Sequence, residues 1–185
     1  MKDIFLKGKK VSLTVLTVKD INESNWYKWF NDTETTLYMQ QGYFPNTKSN
    51  QLRFLKELKN QKNKVQLGIL PNNAKNIVGV VSLSEIDFLN RKAEFSIIIG
   101  EKKLRGVGIG KEATQLILRH GFQKLCLNKI YLGVLAEHKA AIKSYENAGF
   151  KIEGLLRDEV LMYRKYHDIV RMGILYKDFE NEYTD

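Results

Sequence analysis

The sequence predicts a mixed α/β domain of the α+β kind: a central twisted sheet, mostly antiparallel, flanked by helices. Three observations carry that expectation. The strand-like runs "KVQLGIL", "IVGVVSLSEI" and "AEFSIII" follow one another through the short turns "PNNAKN" and "DFLNRK", the pattern of an antiparallel meander. A glycine-rich loop, "RGVGIG", then opens a helix-period stretch from Ile109 to Leu125. Beyond it the strand "KIYLGVL", the helix "EHKAAIKSYENAG" and a closing strand pair alternate, which makes the sheet mixed.

The other elements follow from local chemistry. "VSLTVL" (Val11 to Leu16) alternates polar and apolar, as a strand does. Asp20 can cap a helix through "INESNWYKWF", which places Trp26, Trp29 and Phe30 on one side, with Trp29 and Phe30 in the core. A second helix runs from Asn46 to Gln61, capped at Asn46 or Thr47, with Leu52, Leu55 and Leu58 as its apolar stripe. Between these helices lies a loop rich in aromatics and amides, "NDTETTLYMQQGYFP". Gly149 ends the late helix, and "FKIEGLLRDEVLMY" with "HDIVRMGILY" form the final strand pair.

The chain has 185 residues, 43% hydrophobic and 28% charged, the make-up of a globular protein with one sizeable core. Pro45 and Pro71 are its two prolines, so no Pro-rich linker divides it. One domain is expected over 1–185, its core in about 4–176, with an acidic C-terminal tail, 177–185, that frays. No apolar run approaches the ~20 residues of a membrane span, and the N-terminal "MKDIFLKGKKV" is too broken by charge for a signal peptide. Cys126 is the single cysteine, so a reducing, cytoplasmic setting is expected, with Cys126 a small buried apolar residue. The formal net charge is +9 and the pI near 9.5. Such a balance suits nucleic acid or a phosphorylated small ligand. The lysines are scattered, apart from "LKGKK" and "EKKLR", without aromatic–basic interleaving or zinc-ligand spacing. Neither nucleic acid nor metal is therefore expected as a partner.

The loop from Leu104 to Lys111 looks built for an anion, and three patterns compete for it. A P-loop requires G-x-x-x-x-G-K-[ST]; Arg105 stands where its first glycine belongs, and Glu112 replaces the hydroxyl residue. A dinucleotide fingerprint requires a third glycine where Lys111 stands. The pattern that is satisfied is Arg-x-x-Gly-x-Gly, at Arg105, Gly108 and Gly110, after a strand and opening a helix. Backbone N–H groups and the positive helix end can wrap a diphosphate there, and glycines remove the Cβ atoms that would hold it off. A later helix carries Tyr-x-x-x-Gly-Phe in "SYENAGF", at Tyr145, Gly149 and Phe150.

With these two motifs in order, the chain resembles the GCN5-related N-acetyltransferases, the GNAT superfamily, from about Ile4 to Tyr176. "AEFSIIIG", "GFKIEG", "VRMGIL" and "WFNDTETTLYM" are similar to the branch that holds ribosomal-protein alanine acetyltransferases, spermidine acetyltransferases and enzymes of sugar modification. The resemblance implies acetyl-CoA as co-substrate, its pyrophosphate on Leu104, Arg105, Gly106, Val107, Gly108, Ile109, Gly110 and Lys111. It implies an oxyanion donor among the backbone N–H groups of Ile97, Ile98 and Ile99. Many relatives have Asn where His138 stands; the histidine can donate to the cofactor, cap the helix or face solvent. Lys111 and Lys143 can pair with phosphates or be ordinary exposed helix lysines. The branch often forms dimers or larger assemblies, which leaves a homodimer open.

The implied reaction moves acetyl from the CoA thioester to an amine by direct attack. A lysine-like amine of pKa about 10.4 is neutral in roughly 4 of 10⁴ molecules at pH 7, a deficit of about 4.6 kcal/mol. A base must offset it. Glu94 and Glu85 are the candidates; alternation puts Glu94 with Ser96 and Ile98, on a face lining a cleft or turned to water. Tyr145 is the candidate proton donor to the leaving thiolate, or else it packs with its hydroxyl on a carbonyl. Tyr38, Met39, Gln40 and Phe44 lie in the loop where this branch shapes its acceptor pocket. A polycation needs convergent carboxylates. The loop has Asp32 and Glu34, but its centre, "LYMQQGYF", is uncharged and suits a base and a sugar. The expected acceptor is a nucleotide-linked amino sugar, with protein N-termini and spermidine as alternatives. Two other classes are weighed against it: a non-catalytic acetyl-CoA sensor, and a basic nucleic-acid-binding domain resting on the charge alone.

Overall fold

The structure, a computed structural model, describes residues 2–183, the last four of them by backbone alone. Its strands are β1 (Ile4–Lys7), β2 (Val11–Val15), β3 (Val65–Pro71), β4 (Gly79–Asp87), β5 (Lys92–Ile99), β6 (Lys129–Leu135), β7 (Lys151–Met162) and β8 (Lys165–Leu175). Its helices are α1 (Val18–Glu23), α2 (Trp26–Trp29), α3 (Thr33–Thr36), α4 (Lys48–Asn60), α5 (Ile109–Gln123), α6 (Lys139–Glu146) and α7 (Tyr176–Tyr183). The strands form a mixed sheet in the order β1-β2-β3-β4-β5-β6-β8-β7. Among the pairings resolved by register, β5 with β6 is parallel and the others are antiparallel. The expected meander is present in β3, β4 and β5.

Packing groups the residues into two units, one up to Ser84 with Ser96–Ile117, the other Glu85–Phe95 with Leu118 onward. In the first, Leu16, Ile21, Trp26, Trp29, Leu55, Ile77 and Val80 form a buried cluster, with Phe30, Leu52, Leu58 and Ile98 packed against it. Strand β2 is buried on both faces, and its polar members find partners: Ser12 donates to Asn72 Oδ1 at 3.0 Å and Thr14 to the Gly68 carbonyl at 3.4 Å. In the second unit Phe95, Tyr145 and Phe150 form an aromatic group. Phe122 meets Phe179 with ring centroids 5.0 Å apart, which docks α7.

Several expectations need correction. The helix expected through Phe30 is two helices, because Ser24 intervenes: its hydroxyl donates to the Asp20 carbonyl at 2.5 Å and accepts the Trp26 N–H at 3.2 Å. Asp20 is not the cap; Thr17 is, and Asp20 at N3 accepts the Thr17 N–H at 2.9 Å. Thr47, not Asn46, caps α4. Strand β1 was not foreseen, since charges interrupt it and Ile4 and Phe5 are exposed. Helix α5 stops at Gln123, where the N–H groups of Lys124 and Leu125 both turn back to the His120 carbonyl. Cys126 is exposed, not buried, on a backbone of φ +53°. The stretch expected to fray is helical through Tyr183; residues 184 and 185 lie outside the described residues.

The β7–β8 hairpin turns on Tyr163 and Arg164, both left-handed at φ +51° and +63°, without the glycine such a turn favours. Replacing the pair by Asn-Gly should stabilise the fold by about 1 kcal/mol and raise the thermal midpoint by about 2–4 °C. A midpoint that stays put or falls in calorimetry would contradict that reading of the turn.

Candidate functional site

At the end of β5, the N–H groups of Gly100 and Glu101 both donate to the Val78 carbonyl, at 2.9 and 3.1 Å. A Cβ on Gly100 would lie 2.0 Å from the Trp29 ring, so only glycine passes beneath that indole. A 3-10 turn (Lys102–Leu104) leads into the glycine loop. Gly106 and Gly108 have φ of +76° and +90°, which would cost another residue about 1–2 kcal/mol. None of the backbone N–H groups from Gly106 to Lys111 has an acceptor among the described residues; the first to bond is that of Glu112, to the Gly108 carbonyl at 3.1 Å. A run of orphan donors at the positive end of a 15-residue helix is an anion cradle.

Gly110 supplies an independent test of fit. It carries no left-handed φ, and a Cβ there would meet only Ile99 and Ile97 side chains at 3.7–4.0 Å, ordinary contact. The protein itself thus has no need of glycine at that position, whereas a closely approaching phosphate does. Ile97 and Ile99 line this approach, while Ile98 turns to the buried cluster. Leu104 is half-buried, Val107 is exposed, Ile109 is buried and Lys111 is exposed.

The β1–β2 turn is fastened to the same place. The Glu112 carboxylate accepts the N–H of Lys9 at 2.5 Å and that of Lys10 at 2.9 Å. A Cβ on Gly8 would sit 2.7 Å from that carboxylate, so glycine permits the approach. The turn carries the Lys10 ammonium to 3.7 Å from where a Cβ of Gly108 would stand. A cation held at a positive helix end is favourable once an anion comes between them.

Arg105 is differently engaged from the expectation. Its Nε donates to the Ile99 carbonyl at 2.9 Å, its Nη2 to Thr35 Oγ1 at 3.0 Å, and its Nη1 stands 3.6 Å from Glu34. Lys102 lies between Asp32 at 3.0 Å and Glu34 at 2.8 Å. Glu34 and then Asp32 raise the Lys102 pKa, while the Thr35 N–H and Lys102 hold the Asp32 carboxyl below its ordinary value. The loop expected to be irregular thus contains α3, a single turn capped by Asp32 on the Thr35 N–H. Its base is closed by Asn31 and Asn46, each donating to the other, at 2.7 and 2.6 Å. Beyond α3, Tyr38, Gln40 and Phe44 are exposed, Phe44 by 85%, and Met39 is half-buried.

The second unit holds the remaining candidates. Tyr145, on α6, is half-buried and packs edge-on against Phe95, centroids 6.0 Å apart. Burial pushes its hydroxyl up to about 12, and among the described residues no carbonyl accepts from it. Gly149 closes α6 at φ +90°, letting the Phe150 N–H return to the Tyr145 carbonyl at 3.0 Å. Glu94 lies on the other face of β5 from Phe95 and pairs in register with Tyr131 of β6, where the parallel ladder ends. Desolvation raises the Tyr131 pKa, and Glu94, Glu85 and Asp87 raise it further while Arg171 opposes them. The Arg171 guanidinium lies 5.2 Å from the centre of that ring. Glu94 is thus the register neighbour of Tyr131 and Arg171 lies over its ring, while the charges of Glu85 and Asp87 also reach the phenol. Glu85 is exposed at φ +48°, and Asp87 accepts from Asn90. His138 stands at the N-cap of α6 without a side-chain capping bond, and Lys143 pairs with Glu146 at 3.4 Å.

Sequence reading missed Lys10, Asp87, Tyr131 and Arg171. Only Lys10 left a signal, in the basic run "LKGKK"; the others meet through strand register. Among the described residues no group of His, Cys, Asp or Glu is placed to hold a metal ion, and no helix is long and apolar enough to cross a membrane.

The two inner glycines should separate by stability. Gly108→Ala should cost about 1–2 kcal/mol. Gly110→Ala should leave stability unchanged or raise it by up to about 1 kcal/mol, as for Gly to Ala in a helix. Denaturant midpoints decide this; an equal loss in both would mean that the protein's own packing requires Gly110.

A family model described as an acetyltransferase (GNAT) domain matches residues 10–151. The spermidine N(1)-acetyltransferase of Vibrio cholerae is 37% identical over 113 residues, 61% of this chain and 65% of that protein. That of Escherichia coli K12 is 38% identical over 105 residues, 57% and 54% of the two chains. The matched segments thus span less than two thirds of either relative. A solved structure of the Vibrio cholerae spermidine N-acetyltransferase with CoA and spermine superposes with a TM-score of 0.83 at 27% identity, covering 93% of this chain and 99% of that one. The chain belongs to the GNAT acetyltransferase domain family.

Proposed function

We propose that this chain is an acetyl-CoA-dependent N-acetyltransferase whose acceptor is a primary amine of the polyamine class. The glycine loop and the first turn of α5 take the diphosphate of acetyl-CoA on backbone N–H groups, with Lys10 and Lys111 as supporting cations. Backbone N–H groups among Ile97, Ile98 and Ile99 serve the oxyanion. The observation that carries the acceptor class is the register pairing of Glu94 with Tyr131, a phenol whose pKa the charges of Glu94, Glu85 and Asp87 all raise. A polycation needs such carboxylates, and they lie outside the uncharged loop from which an amino-sugar acceptor was expected. The spermidine acetyltransferases among its relatives point the same way.

Glu94, half-buried, is the base, acting directly or through water, and Glu85 assists in holding the cation. Glu94 releases the amine's proton to solvent, while Tyr145 gives its own phenol proton to the departing thiolate and is reprotonated from solvent. With its pKa near 12 it remains an acid wherever the amine can attack. The exposed aromatics Tyr38 and Phe44 favour a second reading, an amino sugar carried on a nucleotide, which the same assay addresses.

Thiol release from acetyl-CoA should be measured with spermidine, a UDP-linked 4-amino sugar and an alanine-initiated peptide in parallel. Spermidine is expected to be the substrate; release with the sugar or the peptide alone overturns the acceptor. Glu94→Gln and Tyr145→Phe should each lower kcat by about 10²–10³, and full turnover in Tyr145→Phe would remove that residue from the chemistry. The rate should rise with pH as the amine deprotonates. It should show no Tyr145-dependent fall below about pH 10, because the phenol keeps its proton there. A downturn near pH 9 that vanishes in Tyr145→Phe would contradict the role.

A further inference from the structure

We infer that Arg105 and Lys102, although they adjoin the anion cradle, act on the acceptor loop: they clamp α3 and so position residues 37–45. The clamp stands on geometry alone; what the loop receives rests on the acetyltransferase reading.

Arg105 is committed at both ends of its fork. Nε is bonded to the Ile99 carbonyl at 2.9 Å and Nη2 to the Thr35 hydroxyl at 3.0 Å, with Nη1 turned to Glu34 at 3.6 Å. To reach a phosphate the guanidinium would have to leave a main-chain carbonyl and a side-chain hydroxyl together. The cradle does not need it, since its donors are backbone N–H groups. Helix α3, in contrast, has only four residues and cannot hold itself. Asp32 divides its two oxygens: Oδ1 caps α3 through the Thr35 N–H at 2.8 Å, and Oδ2 meets Lys102 at 3.0 Å. Lys102 also takes Glu34 at 2.8 Å, so one cation gathers the cap and the first turn.

With Asn31 and Asn46 closing the base, the loop is held at its foot and at α3, and residues 37–45 form the span between. A single exposed ion pair contributes little, but two cations, two carboxylates and a hydroxyl act here as a network. The clamp should therefore loosen with salt, while the backbone cradle keeps its geometry.

The test compares Arg105→Gln, Arg105→Lys and Lys102→Gln with the wild type. Three quantities are read: amide exchange of residues 33–45, the Kd of acetyl-CoA, and KM for spermidine. In Arg105→Gln and Lys102→Gln, exchange in 33–45 should quicken about tenfold and the amine KM rise about fivefold to tenfold. The Kd of acetyl-CoA and kcat should stay within about twofold. Arg105→Lys should recover only part of the effect, because an ammonium cannot span the Ile99 carbonyl and the Thr35 hydroxyl. Unchanged exchange in 33–45 overturns the clamp, whatever the activity. An acetyl-CoA Kd raised tenfold with the amine KM unmoved overturns it too, and returns Arg105 to the phosphates. A wild type that binds acetyl-CoA but leaves spermidine untouched overturns the acceptor class, and the exchange rates still decide the clamp.

Discussion

Six consecutive backbone N–H groups, Gly106 to Lys111, stand at the positive end of α5 without an acceptor in the described chain. Orphan donors so concentrated are a cost unless something anionic meets them, and the local structure is arranged to keep them available. Left-handed glycines turn them outward, and Gly100 passes under Trp29 so that the loop can begin where it does. Glu112 occupies its carboxylate with the β1–β2 turn and so brings Lys10 alongside, adding a cation to a place already positive.

This arrangement divides the work. The cofactor side, as proposed, relies on main-chain dipoles, which are fixed by the fold and cost no side-chain ordering. The acceptor side, as proposed, relies on charged side chains: Asp32, Glu34, Lys102 and Arg105 around α3 in one unit, and Glu85, Asp87, Glu94 and Arg171, whose charges act on Tyr131, in the other. The first set is internally neutralised, two cations against two carboxylates. The second sets Glu94, Glu85 and Asp87 against Arg171, with Lys92 acting on Asp87, and on the proposed reading it is the set that takes the cationic amine.

Much of this was legible in the sequence where a backbone requirement forces a residue type. The spacing of Arg105, Gly108 and Gly110, the Tyr145–Gly149–Phe150 motif and the meander all show plainly. What was hidden depends on partners far along the chain. Nothing near Tyr131 announces that β6 pairs in register with β5 at Glu94, or that Arg171 returns on β8 to cover its ring. Ser24 looks like any polar helix residue until its hydroxyl takes both helix ends. Arg105 adjoins the glycines in sequence, and its engagement with Thr35, 70 positions earlier, appears only in the fold. Cys126 was misplaced for the opposite reason: an apolar setting in sequence, "LCLNKI", conceals a left-handed turn that puts it outside.

The most direct measurement is residue-resolved amide exchange, by NMR, of the protein with and without acetyl-CoA. The expected result is strong protection gained at the N–H groups of Gly106 to Lys111, donors that have no acceptor among the described residues. Binding of acetyl-CoA that leaves those six amides as exchangeable as before would contradict the cradle and, with it, the reading of this loop as the cofactor's anchor.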